Sequence, residues 1–309
     1  ILYLPHPRGF CAGVDRAINI VELSLDKYGP PIYVRHEIVH NPWVIKDLES
    51  KGVIFIENLR DAPEGSRVIF SAHGIPISVL NEAKNREMPF IDATCPLVIK
   101  VHNEAKRLHK DGAHIFLIGH EGHPEVIGTM GQIPQDAITL IQKKDDIKKI
   151  DNNNYGKVAL ITQTTLSVDD TKEIIEDLKN IFPEIIQPPK EDICYATTNR
   201  QLAIKSIAND CDLIYVIGAN NSSNSLRLVE VGKKSGCNQT HLISDVSEVN
   251  WQEIEKEQKI GLTAGASAPD ILIQDFIDKM NQLYDVEIKN ISVADENITF
   301  KIPRELNER

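Results

Sequence analysis

Short apolar runs alternate along the chain with longer stretches in which apolar residues recur every three or four positions. The runs are Pro31-Ile-Tyr-Val, Val53-Ile-Phe-Ile, Val68-Ile-Phe, Pro89-Phe-Ile-Asp-Ala, His114-Ile-Phe-Leu-Ile-Gly, Val158-Ala-Leu-Ile, Leu213-Ile-Tyr-Val-Ile-Gly and Ile260-Gly-Leu-Thr. They read as strands, and the periodic stretches between them as helices. Such alternation implies an α/β fold with mostly parallel sheets. Leu272, Phe276, Met280 and Leu283 behind Pro269 predict a core helix. Asp169-Asp170 supports the start of a helix carrying Ile174, Ile175 and Leu178. Asp151-Asn-Asn-Asn-Tyr reads as a loop.

Three of the periodic stretches each follow a cysteine. Val14, Ala17, Ile18, Val21 and Leu25 follow Cys11; Val98, Val101, Ala105 and Leu108 follow Cys95; Ala203, Ile204, Ile207 and Ala208 follow Cys194. Pro96 suits the first turn of its helix, where a missing N–H costs nothing. A thiol at a helix N-terminus sees the positive end of the dipole, which favours its thiolate. The cysteines stand 84 residues (Cys11 to Cys95) and 99 residues (Cys95 to Cys194) apart, so each opens about one third of the chain.

Two further features recur with them. A polar cluster follows each cysteine: His40-Asn41 at 29 residues, Gly122-His123-Pro124-Glu125 at 28 to His123, and Asn221-Ser222-Ser223-Asn224 at 28 to Ser222. A polar strand end then follows: Phe70-Ser-Ala-His73-Gly, Ile161-Thr-Gln-Thr164-Thr and Leu262-Thr-Ala-Gly-Ala-Ser267. The thirds share little sequence, so the repeat is one of architecture. It predicts three similar α/β domains at 1–95, 96–193 and 194–309, the last with a C-terminal tail. The first would carry Cys11, His40 and His73, the second His123, Glu125 and Thr164, and the third Cys194, Ser222, Asn224 and Ser267. Ligands gather at the carboxyl ends of parallel strands. Three such units packed about a pseudo-threefold axis would bring their cysteines together.

Charge and cysteine count narrow the chemistry. Forty-five acidic against 34 basic residues give a net charge of −11, which argues against a nucleic-acid partner. No apolar run reaches the roughly 18 residues that span a bilayer, and no signal-peptide pattern opens the chain. The chain begins at Ile1, so a targeting segment or a trimmed end is expected upstream. Five cysteines without a C-x-x-C pair fit a reducing compartment. Cys211 and Cys237 lack the repeat pattern and read as structural.

Three thiolates at helix N-termini point to an iron–sulfur centre, since structural zinc prefers four ligands and close cysteine pairs. A 4Fe-4S cube held by three cysteines keeps one iron open; a 3Fe-4S cluster also satisfies three ligands. His40, His73, His123, Ser222, Asn224 and Ser267 suit an anionic, phosphate-like ligand. Glu125, beside a cluster and an anion, should have a raised pKa that suits a proton donor. Thr164 would pass that proton or hold a substrate hydroxyl. Three functions follow: an iron–sulfur reductase, a non-redox open-iron hydratase acting on a phosphorylated substrate, and a zinc-dependent or metal-free phosphate-binding module.

Nine motifs narrow this further. They are Pro7-Arg-Gly-Phe-Cys-Ala-Gly-Val-Asp-Arg-Ala, Tyr33-Val-Arg-His-Glu-Ile-Val-His-Asn, Phe70-Ser-Ala-His-Gly, Asp92-Ala-Thr-Cys-Pro-Leu-Val, Gly119-His-Glu-Gly-His-Pro-Glu, Gln163-Thr-Thr-Leu-Ser, Asp192-Ile-Cys-Tyr-Ala-Thr-Thr-Asn-Arg-Gln, Asn221-Ser-Ser-Asn-Ser and Thr263-Ala-Gly-Ala-Ser-Ala-Pro-Asp. In this order, from about residue 7 to about residue 275, the chain closely resembles the 4-hydroxy-3-methylbut-2-enyl diphosphate reductases (the LytB/IspH family). The resemblance implies the last step of the non-mevalonate (MEP) isoprenoid pathway. There the allylic hydroxyl is removed reductively, giving isopentenyl and dimethylallyl diphosphate. It implies a trefoil of three α/β domains around a 4Fe-4S cluster held by Cys11, Cys95 and Cys194, with the substrate oxygen on the open iron. It places His40, His73, His123, Ser222, Ser223, Asn224 and Ser267 around the diphosphate, with Glu125 supplying protons and Thr164 on the relay and near the substrate. It implies a ferredoxin- or flavodoxin-type electron donor, for which a local basic face is expected. It also implies a bacterial cytoplasm or a plastid-type organelle such as the apicoplast.

Overall fold

The computed structural model describes residues 1–254 and 258–307. The tail expected to run to residue 309 is therefore described as far as 307. Among the described residues, twelve strands form three sheets, and every pairing between them is parallel. They are β1 (Leu2–His6), β2 (Ile32–Arg35), β3 (Val53–Ile56), β4 (Val68–Phe70), β5 (Phe90–Asp92), β6 (His114–Ile118), β7 (Ile138–Ile141), β8 (Val158–Thr162), β9 (Leu213–Ile217), β10 (Thr240–Ile243), β11 (Ile260–Ala264) and β12 (Ile288–Ser292). The α/β class with parallel sheets, expected from the alternation, is the one the chain adopts. The chain packs as two compact units. One comprises Ile1–Asp15, His40–Lys46 and Tyr195–Thr299; the other comprises Arg16–Val39, Asp47–Cys194 and Phe300–Arg309.

The first unit holds the five-stranded sheet, in the order β10-β9-β11-β1-β12. Side chains of β9 alternate across it. Leu213, Tyr215 and Ile217 pack on one face with Leu272, Phe276 and Met280, while Ile214 and Val216 pack on the other with Ile204, Ile207, Leu228 and Val231. Both faces are covered, which is why this strand reads as an unbroken apolar run. In the helix Asp270–Leu283, Leu272, Phe276 and Met280 are buried as expected, but Leu283, on the last turn, is 46% exposed.

The second unit holds two sheets, β3-β2-β4-β5 and β7-β6-β8. Phe116 and Ile118 of β6 join one core with Leu160, Ile174, Leu178 and Phe182; Ile115 and Leu117 join another with Val101, Ala105, Leu108 and Val126. The helix Val168–Ile181 starts as expected, with Ser167 as its cap and Asp169 and Asp170 in its first turn. Asp151 caps a short 3-10 turn at Asn152–Asn154, within the segment read as a loop. Among the described residues, no helix is long and apolar enough to cross a membrane.

The three thirds of the sequence do not each keep their own strands. The four-stranded sheet lies within residues 1–95 and the three-stranded sheet within 96–193. The five-stranded sheet takes β9 to β12 from the last third and β1 from the first. The strands without a clear sequence signal are β1, β7, β10 and β12. Three of these are sheet edges, and β1 carries Pro5. An edge strand covers less core and needs fewer apolar residues; β12 is exposed or half-buried throughout.

Phe276 is fully buried against Tyr215 and Trp251, with ring centroids at 5.5 Å and 5.6 Å. Phe276→Ala is expected to lower unfolding free energy by about 3–5 kcal/mol, through lost burial and the cavity left behind. Urea unfolding followed by circular dichroism checks this.

Candidate active site

The candidate residues lie almost without exception just past the carboxyl end of a parallel strand, where ligands gather in such folds. Cys11 follows β1, His40 β2, His73 β4, Cys95 β5, His123 β6, Thr164 β8, Ser222 to Asn224 β9, and Ser267 β11. Cys194 departs from this. The chain ahead of it carries only an isolated bridge, Ile186 to Ala159 on the edge of β8.

Each candidate cysteine is held in the same way. The Cys11 amide donates to the Ala266 carbonyl (3.2 Å), the Cys95 amide to Ala72 (3.0 Å) and the Cys194 amide to Thr164 (3.1 Å). The acceptors belong to the three polar strand ends read from the sequence. A helix begins at the next residue each time: Ala12–Tyr28, Pro96–Lys110 and Tyr195–Ala208. All three cysteines are half-buried, whereas Cys211 and Cys237 are buried, and no disulfide joins any of them. Burial pushes the Cys211 thiol up to about 12 and the Cys237 thiol in the same direction, so neither is a ready thiolate. Their structural reading agrees with this.

In the first unit, Ser222 caps the helix Ser223–Lys234, accepting from the Ser225 amide at 3.3 Å. Asn224 is buried, and its Oδ1 accepts from the Ala266 amide at 2.9 Å. Ala266 thus donates its amide to Asn224 and accepts from Cys11 on its carbonyl, which ties the serine cluster to the cysteine turn. Ser267 Oγ donates to the His40 carbonyl at 2.9 Å. Asn41 Oδ1 accepts from the Trp43 amide at 3.0 Å and so caps the helix Pro42–Ser50. Cys11, His40, Ser222, Asn224 and Ser267 are therefore linked through one set of loops.

In the second unit, His123 caps the helix Pro124–Met130. Its Nδ1 accepts from the Glu125 amide at 3.1 Å, which leaves Nε2 as the donor nitrogen of the neutral ring. The His73 ring stands edge-on to it, with centroids 5.9 Å apart. Gly74 follows His73 at φ +85°, and a Cβ there would lie 2.6 Å from the buried His102 ring. Only glycine fits this turn. Burial lowers the His102 pKa to about 4, so that ring packs beneath the turn as a neutral group.

Glu125 is the central titratable group of this unit. It is 3% exposed, and its carboxylate receives the Thr164 amide (2.6 Å on Oε1) and the Thr164 hydroxyl (3.0 Å on Oε2). Burial raises its pKa from 4.5 to about 7, against the two Thr164 hydrogen bonds, which favour the charged form; the negative field of Asp192 adds to the rise. The direction is the one expected from sequence. Burial among protein atoms already suffices to produce it.

Several contributors to this region escaped the sequence reading. Asp192, 4% exposed, accepts from the Thr162 amide at 3.1 Å and pairs with Lys100 at 3.1 Å. Gln132 donates to the Ile75 and Gly128 carbonyls at 2.7 and 2.8 Å, docking the His73 loop on the helix that begins beside Glu125. In the first unit, Arg200 is likewise fully buried. All three lie outside the recurring polar clusters, and nothing in the local pattern of residues marks them as buried.

Among the described residues, no three His, Cys, Asp or Glu side chains form a site for a metal ion. A single ion needs its ligands to converge on one point, whereas a cluster takes one thiolate per iron. An all-cysteine donor set at helix N-termini, partly exposed and outside disulfides, fits iron–sulfur ligation better than zinc.

A profile of the LytB protein family matches residues 2–281. The chain belongs to the LytB protein family. A 4-hydroxy-3-methylbut-2-enyl diphosphate reductase of Paracoccus denitrificans is 53% identical, over 99% of this chain and 97% of its own. One of Roseobacter denitrificans is 52% identical, with the same shares covered. The solved structure of the E-1-hydroxy-2-methyl-but-2-enyl-4-diphosphate reductase from Plasmodium falciparum is 42% identical. It superposes with a TM-score of 0.95, over 99% of this chain and 96% of its own. The resemblance carried by the nine motifs is borne out, and membership makes the chain an enzyme, an oxidoreductase.

The raised carboxyl gives a stability signature. The native Glu125 pKa lies above its ordinary value of 4.5, so the stabilisation from its proton is complete below about 4.5 and lost as pH rises through about 7. Glu125→Gln removes this dependence. Measured by urea unfolding, the variant should gain on the wild type by roughly 3 kcal/mol between pH 4.5 and 8. A pH-independent difference would contradict the assigned environment.

Proposed function

We propose that this chain is a 4-hydroxy-3-methylbut-2-enyl diphosphate reductase. The allylic C–O bond is cleaved with two electrons and two protons, water leaves, and isopentenyl or dimethylallyl diphosphate forms. The observation that carries this reading is the buried Glu125 carboxyl with a pKa near 7, held by Thr164, in a member of the LytB family. Cys11, Cys95 and Cys194 would hold a 4Fe-4S cluster. When bound, that group supplies reducing equivalents and a Lewis-acidic iron.

The protein's own part is protonic and electrostatic. Near neutral pH, Glu125 is poised between its two forms, which maximises its use as a proton donor. Once the proton has left, the Thr164 amide and hydroxyl already face the carboxylate and stabilise its charge. Thr164 can then also pass a proton or hold the substrate hydroxyl. His40, His73, His123, Ser222, Ser223, Asn224 and Ser267 would take the diphosphate, His123 as a neutral donor through Nε2. We read the three sheets as three modules, at 1–95, 96–193 and 194–309, arranged as a trefoil, with β1 contributed by the first to the sheet of the third. The electron donor is a small acidic carrier of the ferredoxin or flavodoxin type. The compartment is a reducing one, a bacterial cytoplasm or a plastid-type organelle.

Protein purified anaerobically should contain iron and sulfide, with an electron paramagnetic resonance signal that distinguishes four irons from three. Cys95→Ser should lose that signal. Glu125→Gln should keep the cluster and bind substrate, yet lose turnover by about a hundredfold or more; full turnover in this variant would refute the proton-donor role. Turnover without any reductant would be that of a hydratase and would overturn the redox assignment.

A further inference from the structure

Each helix that begins at a candidate cysteine carries a basic residue five or six positions further on: Arg16 after Cys11, Lys100 after Cys95 and Arg200 after Cys194. Each of these side chains donates to backbone carbonyls just ahead of the next cysteine. Arg16 Nη1 donates to Ala93 (3.3 Å) and Thr94 (3.1 Å), the two residues before Cys95. Lys100 Nζ donates to Lys190 and Glu191 (both 3.0 Å) and to the Asp192 carboxylate (3.1 Å), in the segment before Cys194. Arg200 donates to Gly9 through Nε (3.0 Å) and Nη2 (2.8 Å) and to Phe10 through Nη2 (3.1 Å), the two residues before Cys11. Each contact lies within one compact unit. In chain order they run Cys11 to Cys95, Cys95 to Cys194 and Cys194 back to Cys11.

These groups are bound too fully to be chance surface contacts. Arg200 is fully buried, and its remaining donor serves Ala196 and the Glu296 carboxylate at 2.9 and 3.1 Å. A buried guanidinium is tolerated only when its N–H groups are satisfied, and here backbone carbonyls supply most of the partners. Lys100 brings a charge to Asp192, itself buried. Arg16 spends its Nε on Lys301 at 2.9 Å. Charge-assisted bonds to carbonyls are stronger than neutral ones, and they fix the loop rather than the side chain of the cysteine.

We infer that Arg16, Lys100 and Arg200 are positioning residues, each fixing the turn that bears the next cysteine, so that every cysteine turn is held by one clamp of a relay of three. This rests on the iron–sulfur reading above. The relay is order-specific: a substitution in one helix is felt at the following cysteine, not at the cysteine that opens that helix.

The test is native-state hydrogen exchange on the full-length wild type and on Arg16→Gln, Lys100→Gln and Arg200→Gln. Exchange should rise about tenfold at residues 93–95 for Arg16→Gln, at 190–194 for Lys100→Gln and at 9–11 for Arg200→Gln, the other two segments keeping wild-type rates. Arg16→Lys should restore much of the protection at 93–95. In anaerobically prepared protein, the half-life of the cluster against an iron chelator should shorten by a similar factor in each Gln variant. Equal loosening of all three segments, loosening confined to the variant's own helix, or no change would overturn the inference. Should Arg200→Gln fail to fold, Arg16→Gln and Lys100→Gln decide it. Wild-type protein without iron and sulfide would defeat the functional reading instead, while the exchange pattern would still decide the relay.

Discussion

A single backbone hydrogen bond, repeated three times, underlies the arrangement of the candidate cysteines. The amide of each is given to a carbonyl in a polar strand end, and a helix starts at the next residue. This places each cysteine at the helix N-terminus, where the unpaired amides of the first turn stabilise negative charge. The position of Cys11, Cys95 and Cys194, each one residue ahead of a helix, thus follows from where the chain is pinned. Cys211 and Cys237 show the contrast: packed among apolar side chains, they have thiols too costly to ionise.

One of these strand ends also holds the buried carboxyl of Glu125. Thr164 accepts Cys194 on its carbonyl and gives its own amide and hydroxyl to Glu125. One residue therefore joins a candidate ligand to the candidate proton donor. At Glu125 two effects oppose each other. The hydrogen bonds pull the pKa down and desolvation pulls it up, and desolvation wins because the carboxyl is nearly cut off from water. Opening that site to solvent would remove the larger effect and leave the Thr164 bonds to favour the charged carboxylate.

Much of this was legible in the residues. The central strands β6 and β9 announce themselves because both faces are covered and apolar side chains fill nearly every position, while in β11 Gly261 and Thr263 interrupt the run. Edge strands β7, β10 and β12 do not announce themselves, since half their surface meets solvent or a loop. The three cysteines, the polar strand ends and Glu125 could be found from order and spacing alone. The cause of the Glu125 shift could not, because burial is a property of the packed chain. Nor could the roles of Arg16, Lys100 and Arg200. Each looks like an ordinary basic residue on a helix until the carbonyls it reaches, up to 191 residues away, are known. Leu283 shows the reverse error: the periodicity continues for one turn beyond the core it was taken to cover.

The pairing of β1 has a consequence in time. Its two neighbours, β11 and β12, lie at residues 260–264 and 288–292, so this strand waits for partners made far later in the chain. The cysteine turns inherit this order. Ala72 and Arg16 precede Cys95, and Thr164 and Lys100 precede Cys194, so those two turns have their partners by the time the ribosome reaches them. Cys11 needs Ala266 and Arg200. Of the three candidate cysteines, the first to leave the ribosome is the last to have the partners of its turn made.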